Sequence, residues 1–210
     1  MDRSCAADPG SADQNIIMKN GNTLLIAAAA LALGGAGYAL GSISNQEPQD
    51  AASAAPKPGA EHEILRKDAG NWNANVKIWM DPNAPPMEMP ATESNHWTCN
   101  DLWMVTEFNT PDGSFSGRGI GGWDSEKKRY VSAWVDSSSM HLTTMVGTYD
   151  KNTKIITFTG EAPDPATGKM TKIRATTEYP DANKRRYTHY TTPAGGVETK
   201  SLEITYTRAQ

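Results

Sequence analysis

From Trp72 the chain alternates apolar and polar positions. Trp72, Ala74, Val76 and Ile78 fall on one face, with Asn73, Asn75 and Lys77 on the other. A period of two belongs to a strand buried on one side. The far end repeats the pattern, setting Leu202, Ile204, Tyr206 and Arg208 opposite Glu203, Thr205 and Thr207. Between these ends, short segments follow one another with almost no helical periodicity. The pattern predicts strands near 72–79, 94–99, 102–108, 115–122, 129–135, 141–149, 154–160, 171–178, 185–191 and 198–208. The breaks between them include Asn100-Asp101, Pro111-Asp112-Gly113, Asp124 to Lys128, Asp150 to Thr153 and Pro193 to Gly196. Each turns the chain for a definite reason: Gly and Asn accept positive φ, Pro presets φ, and Asp caps its own turn. Connections this short make sequential neighbours pair antiparallel. A meander of about ten strands closes on itself rather than leaving two bare edges. The expected fold class is therefore all-β, an antiparallel up-and-down barrel.

Arg208 shares a face with Leu202, Ile204 and Tyr206, so its charge points inward and needs a partner. Gly70-Asn71-Trp72 supplies one. Glycine lets the backbone turn tightly into the barrel, the indole plugs the floor, and a guanidinium arriving on the last strand stacks on it. Gly70, Trp72 and Arg208 thus read as a structural signature.

Further segments carry a resemblance. His62-Glu63-Ile64-Leu65 before Gly70-x-Trp72, Gly117-Arg118-Gly119 leading to Gly122-Trp123-Asp124, Tyr130 to Ser137, Gly147-Thr148-Tyr149-Asp150 and Glu198 to Arg208 resemble the DUF1579 family of uncharacterised proteins. The likeness spans Glu61 to Arg208. One departure is Trp123, where the family pattern leads one to expect tyrosine. The resemblance implies a calycin-like (lipocalin-like) barrel and, by analogy of fold alone, a cavity for a small apolar ligand.

The first 60 residues are different material. No charge occurs between Lys19 and Glu47, and Leu24 to Ile43 is an Ala, Leu and Gly stretch of 20 residues. As a helix it spans roughly 30 Å, enough to cross a bilayer core. It reads as a transmembrane signal anchor or as a cleaved secretory signal with small residues at Gly37-Tyr38-Ala39; its length favours the anchor. Residues 1–17 then form an N-terminal extension, consistent with a true start at Met18, followed by the helix at 18–44, a flexible Pro/Ala/Gln/Ser linker at 45–60 and the barrel domain at 61–210. Arg3 and Lys19 precede the span, while Glu47 and Asp50 follow it. Because basic flanks stay in the cytoplasm, the barrel is expected outside it, periplasmic or at the cell surface, or secreted if the helix is cleaved. The partners implied are the membrane, through that helix, and a small apolar molecule or lipid. Net charge is −4, which argues against nucleic acid, and Lys184-Arg185-Arg186 reads as a solvated turn. With Cys5 across the membrane from Cys99, or absent from the mature chain, no disulfide is expected.

Signals for chemistry are sparse. His62, His96, His141 and His189 stand singly without metal-ligand spacing, so neither metal nor cofactor is expected. His189 alternates with Tyr187 and Thr191, and on an inward face it has the chemistry to ligate haem, a remote reading. The run from Gly117 to Gly122 lacks the helix and Lys-Ser/Thr of a phosphate loop and reads as barrel corners, where a side chain would collide with the neighbouring strand. Asp136, Ser137 to Ser139 and His141 crowd one loop and read as turn and cap rather than triad. Met80, Met87 and Met89, among prolines, read as a lid or surface loop. The candidate ligand-binding set is Tyr130, Trp134, Asp136, His141, Met145 and His189, combining aromatic walls with a few polar groups. An enzyme using cavity carboxylates such as Glu107 or Asp136, and an interaction module with a filled barrel, remain the rival readings.

Overall fold

The structure, a computed structural model, describes residues 55–164 and 167–210. The extension 1–17, the expected helix 18–44 and most of the linker lie outside the described residues. Among the described residues no helix is long and apolar enough to cross a membrane.

A short helix, α1 (Ala60–Leu65), and a 3-10 turn (Arg66–Asp68) lead into ten strands. These are β1 (Gly70–Ile78), β2 (Met87–Thr98), β3 (Trp103–Asn109), β4 (Ser116–Asp124), β5 (Arg129–Asp136), β6 (Thr143–Asp150), β7 (Ile155–Pro163), β8 (Met170–Asp181), β9 (Lys184–Thr192) and β10 (Thr199–Arg208). Each pairs with its sequence neighbour, and β1 pairs with β10 to close the barrel. The inward face of β1 carries Trp72, Ala74 and Val76, which pack with Ala91, Phe108, Ile204 and Tyr206 into one apolar cluster.

β2 departs most from expectation. It begins at Met87 rather than near residue 94 and pairs with β1 from Ile78↔Met87 to Gly70↔Asn95. Met89 and Ala91 continue the inward alternation, and Pro90 sits exposed on the outer face opposite Asn75. Met87 and Met89 are therefore strand residues and not a lid. Met80, 84% exposed, stays in the β1–β2 loop.

The two ends of the barrel differ. At the end reached by the starts of β1, β3, β5, β7 and β9, α1 and the 3-10 turn form a plug. Leu65 packs with Tyr130 and Ile156, and the Tyr130 hydroxyl donates to the Glu61 carbonyl at 3.1 Å. Asp68 is the hub. Its carbonyl accepts from Trp72 Nε1 at 2.8 Å and from Asn95 Nδ2 at 2.9 Å. Its carboxylate accepts from Arg185 at 2.8 Å and from the Tyr179 hydroxyl at 2.9 Å. Arg185 also donates to Glu93, and its guanidinium lies 3.8 Å from the Tyr206 ring centre and 5.0 Å from that of Trp72. Arg208 covers Trp72 at 4.2 Å and donates to the Ala69 carbonyl at 2.8 Å. Gly70 adopts φ +106°, and a Cβ there would meet the Arg208 guanidinium at 2.9 Å.

Arg185 therefore corrects the solvated-turn reading. Its side chain is 6% exposed inside the plug, because it shares inward parity with Tyr187 and His189, while Lys184 and Arg186 stay outside. Burial alone would lower its affinity for a proton, but the Asp68 and Glu93 carboxylates hold it well above the ordinary arginine value. Burial raises the Asp68 carboxyl above its ordinary value, and Arg185 offsets only part of that shift.

Two outcomes follow from this plug. Trp72→Ala should cost about 3 to 5 kcal/mol in urea unfolding, and a double-mutant cycle with Arg208→Ala should show coupling on the order of 1 kcal/mol or more. Simple additivity would remove the stacking from the account. A raised Asp68 value means that the folded chain holds a proton the unfolded chain has released. Stability from this group is complete below the ordinary value of 3.8 and is lost as pH climbs through the raised one. Asp68→Asn should accordingly gain stability relative to wild type as pH rises above the ordinary value of 3.8. A difference that stays flat with pH would contradict this assignment.

Candidate functional site

Away from the plug, inward residues become half-buried: Ile78, Met89, Trp134, Met145, His189, Thr191 and Leu202. Near the plug they are nearly sealed, with Trp72 and Ile156 at 1% and Asn95 at 4%. Register shows which side chains line this half. One inward level runs Gly121, Ser132, Met145, Gly160, Ile173, Thr191 and Thr199 across β4 to β10. Only Met145 and Ile173 are bulky. On the opposite wall Ile78, Met89 and Leu202 lean on the apolar cluster, joined by Phe115, Trp134 of β5 and Tyr187 of β9. The open half thus has a packed side at β1–β3 and β10, and a side at β5–β9 walled by small residues.

Glycines receive aromatic rings in both halves, in a way the corner reading does not describe. A Cβ on Gly117 would lie 2.1 Å from the Trp134 ring and one on Gly119 3.0 Å from it, so the indole lies flat along β4. Gly147 receives the Phe158 ring in the same way, its Cβ position 2.7 Å from that ring. On the outside, Gly122 receives Trp103. The close approach at these glycines comes from an aromatic side chain of the next strand, and it keeps large rings against the wall instead of across the lumen.

The candidate residues separate accordingly. Trp134, Asp136, Met145 and His189 stand on the inner face of the open half, and His141 lies in the β5–β6 loop at its rim. Tyr130 does not belong with them. It is 2% exposed against the plug, where burial pushes its hydroxyl up to about 12. The alternation that put it on the same face as Trp134 is correct, but four residues along a strand carry it to the other end of the barrel. Asp136 accepts from Trp134 Nε1 at 3.0 Å and from the Ser138 amide at 2.9 Å, fixing the indole and capping a turn. Glu107 faces outward and pairs with Arg118 at 3.6 Å, so it is not a cavity carboxylate.

His189 is held by a device absent from the sequence pattern. β10 carries an irregularity between Lys200 and Leu202, which leaves Ser201 outside the regular pairing. The Ser201 hydroxyl donates to the His189 carbonyl at 3.2 Å and lies 2.9 Å from His189 Nδ1. In the tautomer with Nδ1–H, that oxygen accepts from the ring while its own hydrogen goes to the carbonyl. Nε2 then keeps its lone pair and has no partner among the described residues. Burial lowers the imidazole below its ordinary value, so the ring is neutral near pH 7. For haem, the open half offers this one histidine nitrogen among the described residues. Among the described residues no three His, Cys, Asp or Glu side chains gather as a metal site.

The family model described as a protein of unknown function, DUF1579, matches residues 57–208. The chain belongs to the DUF1579 family. Among solved structures, this DUF1579 barrel is similar to Rv2717c from M. tuberculosis at 15% identity and a TM-score of 0.52, over 72% of this chain and 99% of that one. That likeness concerns the fold alone. It also matches the S-type phycobiliprotein lyase CPES from Guillardia theta at 9% identity, over 73% of this chain and 99% of that one, with a TM-score of 0.47. A redesigned beta barrel matches at 11% identity, over 74% and 100% of the two chains, with a TM-score of 0.31. At these values neither of the last two bears on fold or function. No curated protein matches the chain.

The flat packing of Trp134 is directly testable. Gly117→Ala should destabilise the barrel by about 1 to 3 kcal/mol through overpacking, and much less in a Trp134→Ala background, where the indole is gone. Equal costs in both backgrounds would show that the glycine serves the backbone and not the ring.

Proposed function

We propose that this DUF1579 protein is a membrane-tethered, extracytoplasmic barrel that binds a small apolar molecule in its open half. The observation that carries the reading is the level of small side chains, Ser132, Gly160 and Thr191, beside half-buried Trp134 and Met145, at the end of the barrel away from the plug. Ligand sites are apolar concavities with a few placed polar groups, which describes this wall. Ten strands enclose more room than the eight that side chains alone just fill. A concavity of about 630 Å³ on the outer surface, by contrast, is bordered by the charged residues Glu161, Lys172, Arg174 and Glu198 and lacks an aromatic wall. The tether rests on the uncharged stretch Leu24 to Ile43 and on the basic residues that precede it.

The reading is tested with Nile red, an apolar dye that carries no hydrogen-bond donor. It should bind the protein saturably and quench tryptophan emission. Ser132→Phe should weaken binding by about tenfold while shifting the unfolding midpoint little, because the new ring enters space rather than packed atoms. If wild type shows no saturable binding, the interior is filled and the protein is an interaction module; if Ser132→Phe unfolds the barrel and a milder Ser132→Leu leaves binding unchanged, the dye sits outside the open half and this site is wrong. For the address, the full chain expressed in a bacterium should pellet with membranes. A soluble product beginning near Leu40 would establish cleavage instead.

A further inference from the structure

Resting on that reading of the open half, we propose that its ligand is a neutral apolar molecule bearing one hydrogen-bond donor, such as a long-chain alcohol, and that His189 Nε2 is the acceptor that recognises the donor. Two independent features carry this. The first is position: His189 faces inward at one level with Ala175 and Leu202, one inward step from Thr191 on the wall of small residues. The second is the irregularity in β10. It displaces Ser201 from the pairing, and the hydroxyl makes both its contacts with His189. Bulges recur where a side chain must be re-aimed. Here the result is an imidazole whose orientation is fixed, and in its Nδ1–H tautomer the remaining nitrogen is an acceptor without a partner among the described residues.

The surroundings narrow the ligand's chemistry. Tyr187, stacked on His189 at 6.5 Å between ring centres, and the histidine's register partners Ala175 and Leu202 bring no positive charge to the site. Arg185, the inward cation on the same strand, is committed to Asp68 and Glu93 in the plug. A neutral imidazole therefore offers nothing to balance a carboxylate or phosphate, and a ligand without a donor would leave a buried acceptor unpaired, at a cost in affinity.

The test compares 1-dodecanol with its methyl ether, which has the same chain but no donor, in displacing Nile red from the full protein. Wild type should favour the alcohol by about 3- to 10-fold, the range expected for one neutral hydrogen bond. His189→Phe should lose the preference, with alcohol and ether displacing the dye equally well. In wild-type protein labelled with ¹⁵N-histidine, one Nε2 resonance should move on adding the alcohol and stay in place with the ether, a readout that does not depend on a variant folding. Equal displacement by alcohol and ether in wild type, a preference that survives His189→Phe, or an unmoved Nε2 resonance would each overturn the proposal and leave apolar binding standing. Failure of Nile red to bind wild type would instead remove the reading beneath it.

Discussion

One buried guanidinium organises this barrel. Arg185 sits between two carboxylates and against two aromatic rings, where water cannot compensate its charge. Such a group persists in a core only if every neighbour is placed to satisfy it. That requirement draws in Asp68 from the segment before the barrel, Glu93 from β2, and Trp72 and Tyr206 from the strands that close the ring. Removing either acid would strand the cation, so the plug holds together as a unit rather than as separable contacts.

Sealing one end with charge leaves apolar surface for the other. The charged residues inside the barrel concentrate near the plug, where Asp68, Glu93 and Arg185 bond to one another, and the open half keeps aromatics, methionine and small side chains. His189 stands where the two regimes meet. Its Nδ1 belongs to a local hydrogen-bond pair like those of the plug, and its Nε2 faces the apolar half. The barrel thus carries a direction along its axis although its strands alternate in theirs.

The strand count, the closed meander and the pairing of Trp72 with Arg208 were legible because alternation reports burial one residue at a time. What alternation does not report is position along the axis. Tyr130 and Trp134 share a face and lie at opposite ends, and no local pattern separates them. Prolines hid the first half of β2, since Pro90 on an exposed face costs the strand little. Charge masked Arg185, although its parity with Tyr187 and His189 was visible in the same run. Glycines announced unusual packing at 117 and 147 without naming the ring that would fill each space. Ser201 gave no signal, because a bulge is a relation between two strands.

The contacts that seal the floor also have consequences for how the chain reaches its fold. Arg208 bonds to the Ala69 carbonyl across 139 residues, nearly the whole length of the domain. Few contacts in a protein of this size are farther apart in sequence, and loop-closure entropy makes such contacts late and slow. Until β10 is made, β1 and β9 are open edges and Trp72 lacks the cation that covers it. A ribosome-bound chain missing its last strand is an open sheet with two sticky borders, and the final ten residues of the barrel are what convert it into a closed, self-satisfied surface.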